Sequence, residues 1–195
     1  PGVDKKAWIM KNSLLSNNYL NDILHQPEAL QDTLARLENQ QFDEFQPLLQ
    51  RLANNSIKRV VLTGMGSSYH ALHPLFLALI ERGVQTVMFE TSELIHFAPK
   101  IITPETLVVA VSQSGQSVET LQLLEMTKNK TSLIGVTNTP QSPLARKSDA
   151  LLLTYAGSEH SVSCKTYIAS LAALLVLSDI LTGQNTVTTL SSLRS

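Results

Sequence analysis

The sequence predicts an α/β protein: a three-layer α/β/α sandwich about a five-stranded parallel sheet, preceded by N-terminal helices. Three observations predict it. Five short apolar runs rich in β-branched residues recur between positions 59 and 154. Each is followed by a helical pattern. The runs are continuous rather than alternating, as in parallel strands buried on both faces. Strand–helix repetition of this kind implies right-handed crossovers, with helices covering both faces of the sheet.

Residues 1–17 read as a tail and 18–56 as a helical segment. Leu20, Ile23 and Leu24 share one helical face, followed by Leu30, Leu34 and Leu37. Pro27 interrupts this stretch and is placed to open a second helix, because proline suits a first helical turn. The strand–helix units begin at residue 57. Residues 59–63 predict a strand and 68–82 a helix; 85–90 a strand and 92–97 a short helix. Residues 107–111 predict a strand and 118–129 a helix; 132–137 a strand and 143–147 a short helix. Residues 151–154 predict the fifth strand and 164–182 a long helix. The main domain therefore spans 57–183. Residues 184–195 are rich in Thr and Ser and read as a tail or linker.

The chain of 195 residues suits one domain, and 43% hydrophobic with 16% charged residues permits a large core and argues against disorder. A net charge of −1 with no basic run argues against a nucleic-acid partner, whose affinity rests on Lys and Arg at phosphates. The single cysteine, Cys164, excludes an internal disulfide and a multi-cysteine metal site, and fits a reducing, cytoplasmic location. The longest apolar stretch, 168–178, is too short to cross a bilayer and no secretory signal opens the chain, so no membrane partner is expected. The chain starts at Pro1, so it is expected to begin inside a longer sequence or to carry processing residues.

In an open parallel sheet, ligands bind beyond the carboxyl ends of the strands. Two of the predicted strand ends carry hydroxyl-plus-glycine turns that enter helices. Gly64-Met65-Gly66-Ser67-Ser68-Tyr69 follows the first, and Ser112-Gln113-Ser114-Gly115-Gln116-Ser117 the third. Asn138 and Thr139 follow the fourth, and Gly157-Ser158-Glu159 the fifth. A helix N-terminus offers unpaired N–H groups and partial positive charge, small residues admit an anion, and serine hydroxyls add donors. Two such turns could grip a phosphate without Arg or Lys; equally, the serines could simply cap their helices. No Gly-Lys-Ser/Thr follows the glycines, and Tyr69 stands where a dinucleotide fingerprint needs its third glycine. A nucleotide cofactor is therefore not expected, and the phosphate of a sugar fits better.

The blocks "GMGSSYHA", "ETSEL", "VSQSGQSVET" and "GSEHSVSCKTYIASLAALLVL", in that order, resemble the sugar isomerase (SIS) domain. The likeness is greatest to the first SIS subdomain in the isomerase half of glucosamine-6-phosphate synthases, and to related fructosamine and amino-sugar phosphate deglycases. Asp22-Ile23 with Gln26-Pro27 is similar to the Glu-Ile-x-x-Gln-Pro helix that precedes that subdomain. The resemblance covers residues 18–183. It implies a flavodoxin-like five-stranded fold, no cofactor, no metal and a homodimer. It also implies a sugar phosphate of the fructose 6-phosphate or glucosamine 6-phosphate type as ligand. Carried over by position, phosphate binding falls on Ser112, Gln113, Ser114, Ser117 and Ser68, and sugar binding on Gly66, Ser67, Val162 and Ser163. Ser117 stands where the family often has Thr, and Met65 where it often has Cys. The segment Val162-Ser163-Cys164-Lys165 is one residue shorter than the family's Val-Ala-Ser-Thr-Lys.

Isomerisation in this family needs a carboxylate that moves a proton between two sugar carbons and a His that opens the ring. In two-subdomain members those groups lie in the second subdomain, and no Glu-x-x-His-like block follows the fifth strand here. The resemblance thus implies a phosphosugar-binding part of an isomerase, aminotransferase or deglycase. A complete single-domain isomerase and a non-catalytic sugar-phosphate sensor are the alternatives. With no glutaminase half and no N-terminal Cys nucleophile, the chain is not by itself a full amidotransferase. Glu159 and His160 are the internal candidates for catalysis.

Other polar residues have plainer readings. Glu93 reads as a cap or interdomain contact, and Glu119 as a partner of a helix dipole. His70 and His73 lie three residues apart without a third metal ligand, which favours a core or dimer-interface role. Cys164 reads as a small buried residue at a helix start. Lys165 is electrostatically misplaced at that start, which a phosphate or an acidic partner would explain. Trp8 and the run 171–177 are core or interface candidates, and that helix face would lie exposed unless a partner copy covered it.

Overall fold

The computed structural model describes residues 18–159 and 162–194. Trp8, His160 and the expected tail 1–17 lie outside the described residues. Helices α1 (Asn18–Leu24), α2 (Gln26–Glu38) and α3 (Gln46–Ala53) lead into the repeating units. These are β1 (Arg59–Gly64) with α4 (Ser67–Ala71) and α5 (His73–Glu81), then β2 (Thr86–Glu90) with α6 (Thr91–Phe97). Next come β3 (Thr106–Val111) with α7 (Val118–Thr127), and β4 (Ser132–Thr137) with α8 (Pro143–Lys147). β5 (Ala150–Leu153) is followed by α9 (Lys165–Thr182) and α10 (Thr186–Arg194). The strands are all parallel in the order β2-β1-β3-β4-β5, so the chain winds outwards in both directions from β1 and β3.

Strand residues alternate between two cores because successive side chains point to opposite faces. Val60, Leu62, Leu107 and Val109 meet Leu34, Leu75 and the α9 residues Ala173, Leu174 and Leu177 on one face. Val61, Val108, Ala110 and Leu133 meet Leu94, Leu123 and Leu144 on the other. Both faces of the sheet are thus covered, which is why the strands read as unbroken apolar runs.

Four expectations need correction. The helix foreseen over 68–82 is two helices joined at Leu72. Pro74 has no N–H to offer the His70 carbonyl; Leu72 N–H instead bonds Tyr69 O at 3.1 Å, and α5 restarts with Pro74 in its first turn. Residues 184–195 read as a tail or linker, yet 186–194 form α10, a docked helix. Asn185 Oδ1 accepts Val187 N–H at 2.9 Å, and Leu190 is buried against α9 and α2. The apolar anchor overrides the weak helix propensity of the Thr/Ser composition. The face of 171–177 is covered within the chain, since α2, α5 and α10 all pack on α9. Finally, α9 has 18 residues and mean hydropathy 1.4, long and apolar enough to cross a membrane by those measures, but it is a core helix with nine buried residues.

The outer edge of β5 is closed by side chains. Glu44 Oε1 accepts Leu151 N–H at 2.8 Å, and Gln40 Nε2 donates to Leu151 O at 3.0 Å. These contacts stand in for a neighbouring strand.

Candidate functional site

Both hydroxyl–glycine turns leave the same end of the sheet from adjacent strands: Gly64 at the end of β1 pairs with Val111 at the end of β3. This is the point where the strand order diverges, the usual ligand position in open α/β sheets.

The turn after β3 is organised by hydroxyls. Ser112 N–H still belongs to the sheet, donating to Val136 O at 3.0 Å. Ser112 Oγ accepts from Gly115 N–H at 3.1 Å and from Thr120 Oγ1 at 3.2 Å. With two bonds accepted, its own hydrogen is what remains to offer a ligand. Ser117 is the N-cap of α7: its Oγ accepts Thr120 N–H at 3.2 Å. Among the described residues, Ser114 Oγ makes one contact, a long one with Gln116 N–H at 3.4 Å. The Gln113 side chain is exposed, while its carbonyl accepts Asn138 N–H and Thr137 Oγ1, both at 3.1 Å. Gly115 is buried at φ 62°, and its carbonyl accepts Leu144 N–H at 3.1 Å. The turn is therefore pinned to β4 and α8, while Gln113, Gln116 and Val118 lie exposed. Sequence reasoning did not single out Thr120, which is buried and joins Ser112 to Ser117; a hydroxyl three residues beyond a capping serine was the available signal.

The turn after β1 is tighter. A Cβ on Gly64 would lie 2.9 Å from both Ser68 C and Tyr69 N, so glycine is what lets α4 sit directly on the strand end. Gly66 adopts φ 53°, and its N–H points at Glu90 Oε1, 3.4 Å away. Ser67 and Ser68 open α4 and are half-buried. Glu93 caps α6, its Oε2 accepting Glu90 N–H at 3.3 Å.

At the end of β5, Asn138 fastens the chain from β4. Its Oδ1 accepts from Thr154 Oγ1 and Ala156 N–H, and its Nδ2 donates to Gly157 O at 2.7 Å. Glu159 reaches the N-terminus of α9. Its Oε1 accepts Cys164 N–H and Lys165 N–H, each at 2.7 Å, and its Oε2 accepts the Thr166 hydroxyl. Burial raises the Glu159 pKa, but the bonds from Thr166, Cys164 and Lys165 outweigh it and hold the carboxyl below the ordinary glutamate value. Burial, then the bond to Glu159, pushes the Cys164 thiol up, away from thiolate chemistry. Lys165 finds an acidic partner: its Nζ lies 2.8 Å from Asp22 Oδ1, the side chains being 12% and 4% exposed. Val162 is exposed, and Ser163 Oγ sits 2.7 Å from Thr166 Oγ1. Both precede α9, which packs on α4 and so on the helix begun by Ser67.

His70 and His73 are exposed, which removes the core half of the core or dimer-interface role read for them, and each faces a neighbouring ring, Tyr69 and Phe76 respectively. Among the described residues no group of three His, Cys, Asp or Glu is placed to hold a metal. A cleft of about 450 Å³ lies between α1, α2 and residues 156–158, with Asp22 and Lys165 in its lining.

The sequence profile of the SIS domain family matches residues 55–178. The glutamine–fructose-6-phosphate aminotransferase of Sulfurisphaera tokodaii is 30% identical over 168 residues, which are 85% of this chain and 28% of that protein. The chain spans less than a third of the length of the curated relatives it matches. Among solved structures, the C-terminal domain of glucosamine–fructose-6-phosphate aminotransferase from Francisella tularensis superposes with a TM-score of 0.71 at 22% identity, over 91% of this chain and 52% of that one. The Vibrio vulnificus NanR protein complexed with ManNAc-6P gives a TM-score of 0.66 at 21% identity, over 96% and 70%.

Proposed function

Because the chain belongs to the SIS domain family, we propose that it binds a sugar phosphate at the edge shared by β1 and β3. The observation that carries this reading is the pairing of Gly64 with Val111, which starts the two hydroxyl–glycine turns side by side. In this reading the phosphate sits at the N-terminus of α7. The Ser112, Ser114 and Ser117 hydroxyls, backbone N–H groups of the turn and Gln113 surround it, with Ser68 approaching from the neighbouring turn. The helix dipole and oriented donors replace a cation. Gly66, Ser67, Val162 and Ser163 then face the sugar. Relatives named as acting on fructose 6-phosphate, and a family fold complexed with ManNAc-6P, support a hexose or amino-sugar 6-phosphate.

We assign the chain the task of binding and orienting rather than proton transfer. A general base must be available to a substrate proton. Glu159 is instead engaged by Cys164, the N-cap of α9, and by Lys165 and Thr166 in its first turn, and has its basicity reduced. Homodimerisation is part of the proposal, supported by the exposed Leu77 and Ile80 on α5. The test is a titration of wild type and Ser114→Ala with fructose 6-phosphate and glucosamine 6-phosphate. Loss of affinity in the variant is expected; equal affinities remove the 112–117 turn from the site.

A further inference from the structure

Lys165 is the first residue of α9, where the helix dipole disfavours a cation. Its ammonium is nevertheless largely buried, 2.8 Å from Asp22 Oδ1 and 2.7 Å from Ser158 O. Those two contacts join three separate pieces of chain: α1, the segment leaving β5 and the first turn of α9. Glu159 fastens the same junction from the other side, through Cys164 N–H and Lys165 N–H. Ser158 and Glu159 upstream are thereby clasped to Cys164 and Lys165 downstream. Val162 and Ser163 lie between the two halves of the clasp. Val162 is 62% exposed, so its position is fixed by what holds the segment's ends rather than by packing of its own side chain.

We propose that Asp22, acting through Lys165, is a positioning residue for recognition of the sugar moiety. It sets the place of Val162 and Ser163 from a helix that carries neither hydroxyl–glycine turn, and it does not contribute to holding the phosphate. The inference rests on the phosphosugar reading above and adds to it a division of labour: the turn after β3 reads the phosphoryl group, and the α1–α9 clasp reads the sugar. The charge of Asp22 is essential to this role, because a buried ammonium at a helix N-terminus without a counter-charge is doubly disfavoured.

The test uses the full 195-residue chain as wild type, Asp22→Asn, Lys165→Met and the double variant. Each is titrated with inorganic phosphate and with glucosamine 6-phosphate, followed by amide chemical shifts. Phosphate affinity should stay within about twofold in all four proteins. Sugar-phosphate affinity should fall about tenfold in each single variant, the size of a typical site-to-site coupling. The double should be no weaker than the singles, because both changes open one clasp. Unchanged sugar-phosphate affinity, or parallel loss of both ligands, overturns the positioning role. If a single variant fails to fold, the double decides, since it leaves no unpaired buried charge. Absence of binding of both glucosamine 6-phosphate and fructose 6-phosphate by wild type overturns the proposed function itself; if only fructose 6-phosphate binds, it replaces glucosamine 6-phosphate in the titrations.

Discussion

A Cβ placed on Gly115 would lie 2.2 Å from Ser142 Oγ, so the turn after β3 is moulded against the cap of α8. Ser142 cannot simply swing aside, because its Oγ accepts Ala145 N–H at 3.2 Å. Gly115→Ala therefore combines left-handed backbone strain with overpacking and should cost about 3 kcal/mol. Gly83, at φ 75° with no heavy atom within 4 Å of the added carbon, isolates the strain alone; Gly83→Ala should cost about 1 kcal/mol. Urea unfolding of the two variants measures the difference, and equal losses would show that space at position 115 is not limiting.

Ser114 and Ser117 stand in the same turn but should respond differently to truncation. Ser117 caps α7 through a 3.2 Å bond from Thr120 N–H, so Ser117→Ala should lose about 1 kcal/mol of stability as well as ligand affinity. Among the described residues Ser114 has one contact, the 3.4 Å approach of Gln116 N–H, so Ser114→Ala should leave the unfolding midpoint in place while weakening sugar-phosphate binding. A stability loss at Ser114 matching that at Ser117 would mean that both serines are caps.

The contrast shows what could be read in advance. Apolar continuity located the central strands because burial on both faces leaves no polar alternation, as at 107–111, whereas the edge strands β2 and β5 are only partly buried and were located by their place in the strand–helix repetition. The adjacency of the first and third strand ends follows from crossover rules once the fold class is known. Long-range partners were not legible: nothing local in the sequence pairs Asp22 with Lys165 or Glu44 with Leu151. Nor was the role of Glu159, whose partners lie five to seven residues ahead on a helix not yet begun. The helix 186–194 was missed because two leucines, Leu190 and Leu193, carry its docking within a Thr/Ser background.

Glu159 predicts a pH dependence. Its folded pKa lies below the ordinary glutamate value, so the ionised form is the one that stabilises the fold. That contribution is complete above the unfolded glutamate value of about 4.3 and fades as pH falls through the lower folded value. Glu159→Gln should thus be less stable than wild type at pH 7, by roughly the 1–2 kcal/mol of a strong helix cap. The gap should shrink as the solution is acidified below pH ~4. Thermal unfolding across that range checks it, and a gap that widens on acidification would contradict the capping role.

Glu44 offers a test of how the sheet ends. Leu151 N–H points away from β4 and is met by Glu44 Oε1 at 2.8 Å, while Gln40 serves the Leu151 carbonyl. Glu44→Ala leaves that edge donor to water, and the net loss should be about 1 kcal/mol. It also uncovers part of a strand template, so association at high concentration should rise. Glu44→Gln removes the same charge but keeps an acceptor oxygen, and should stay close to wild type in both respects. Chemical unfolding and light scattering of the two variants separate the charge from the bond. If alanine and glutamine behave alike, the carboxylate acts through its charge and the edge of β5 is closed by something other than this contact.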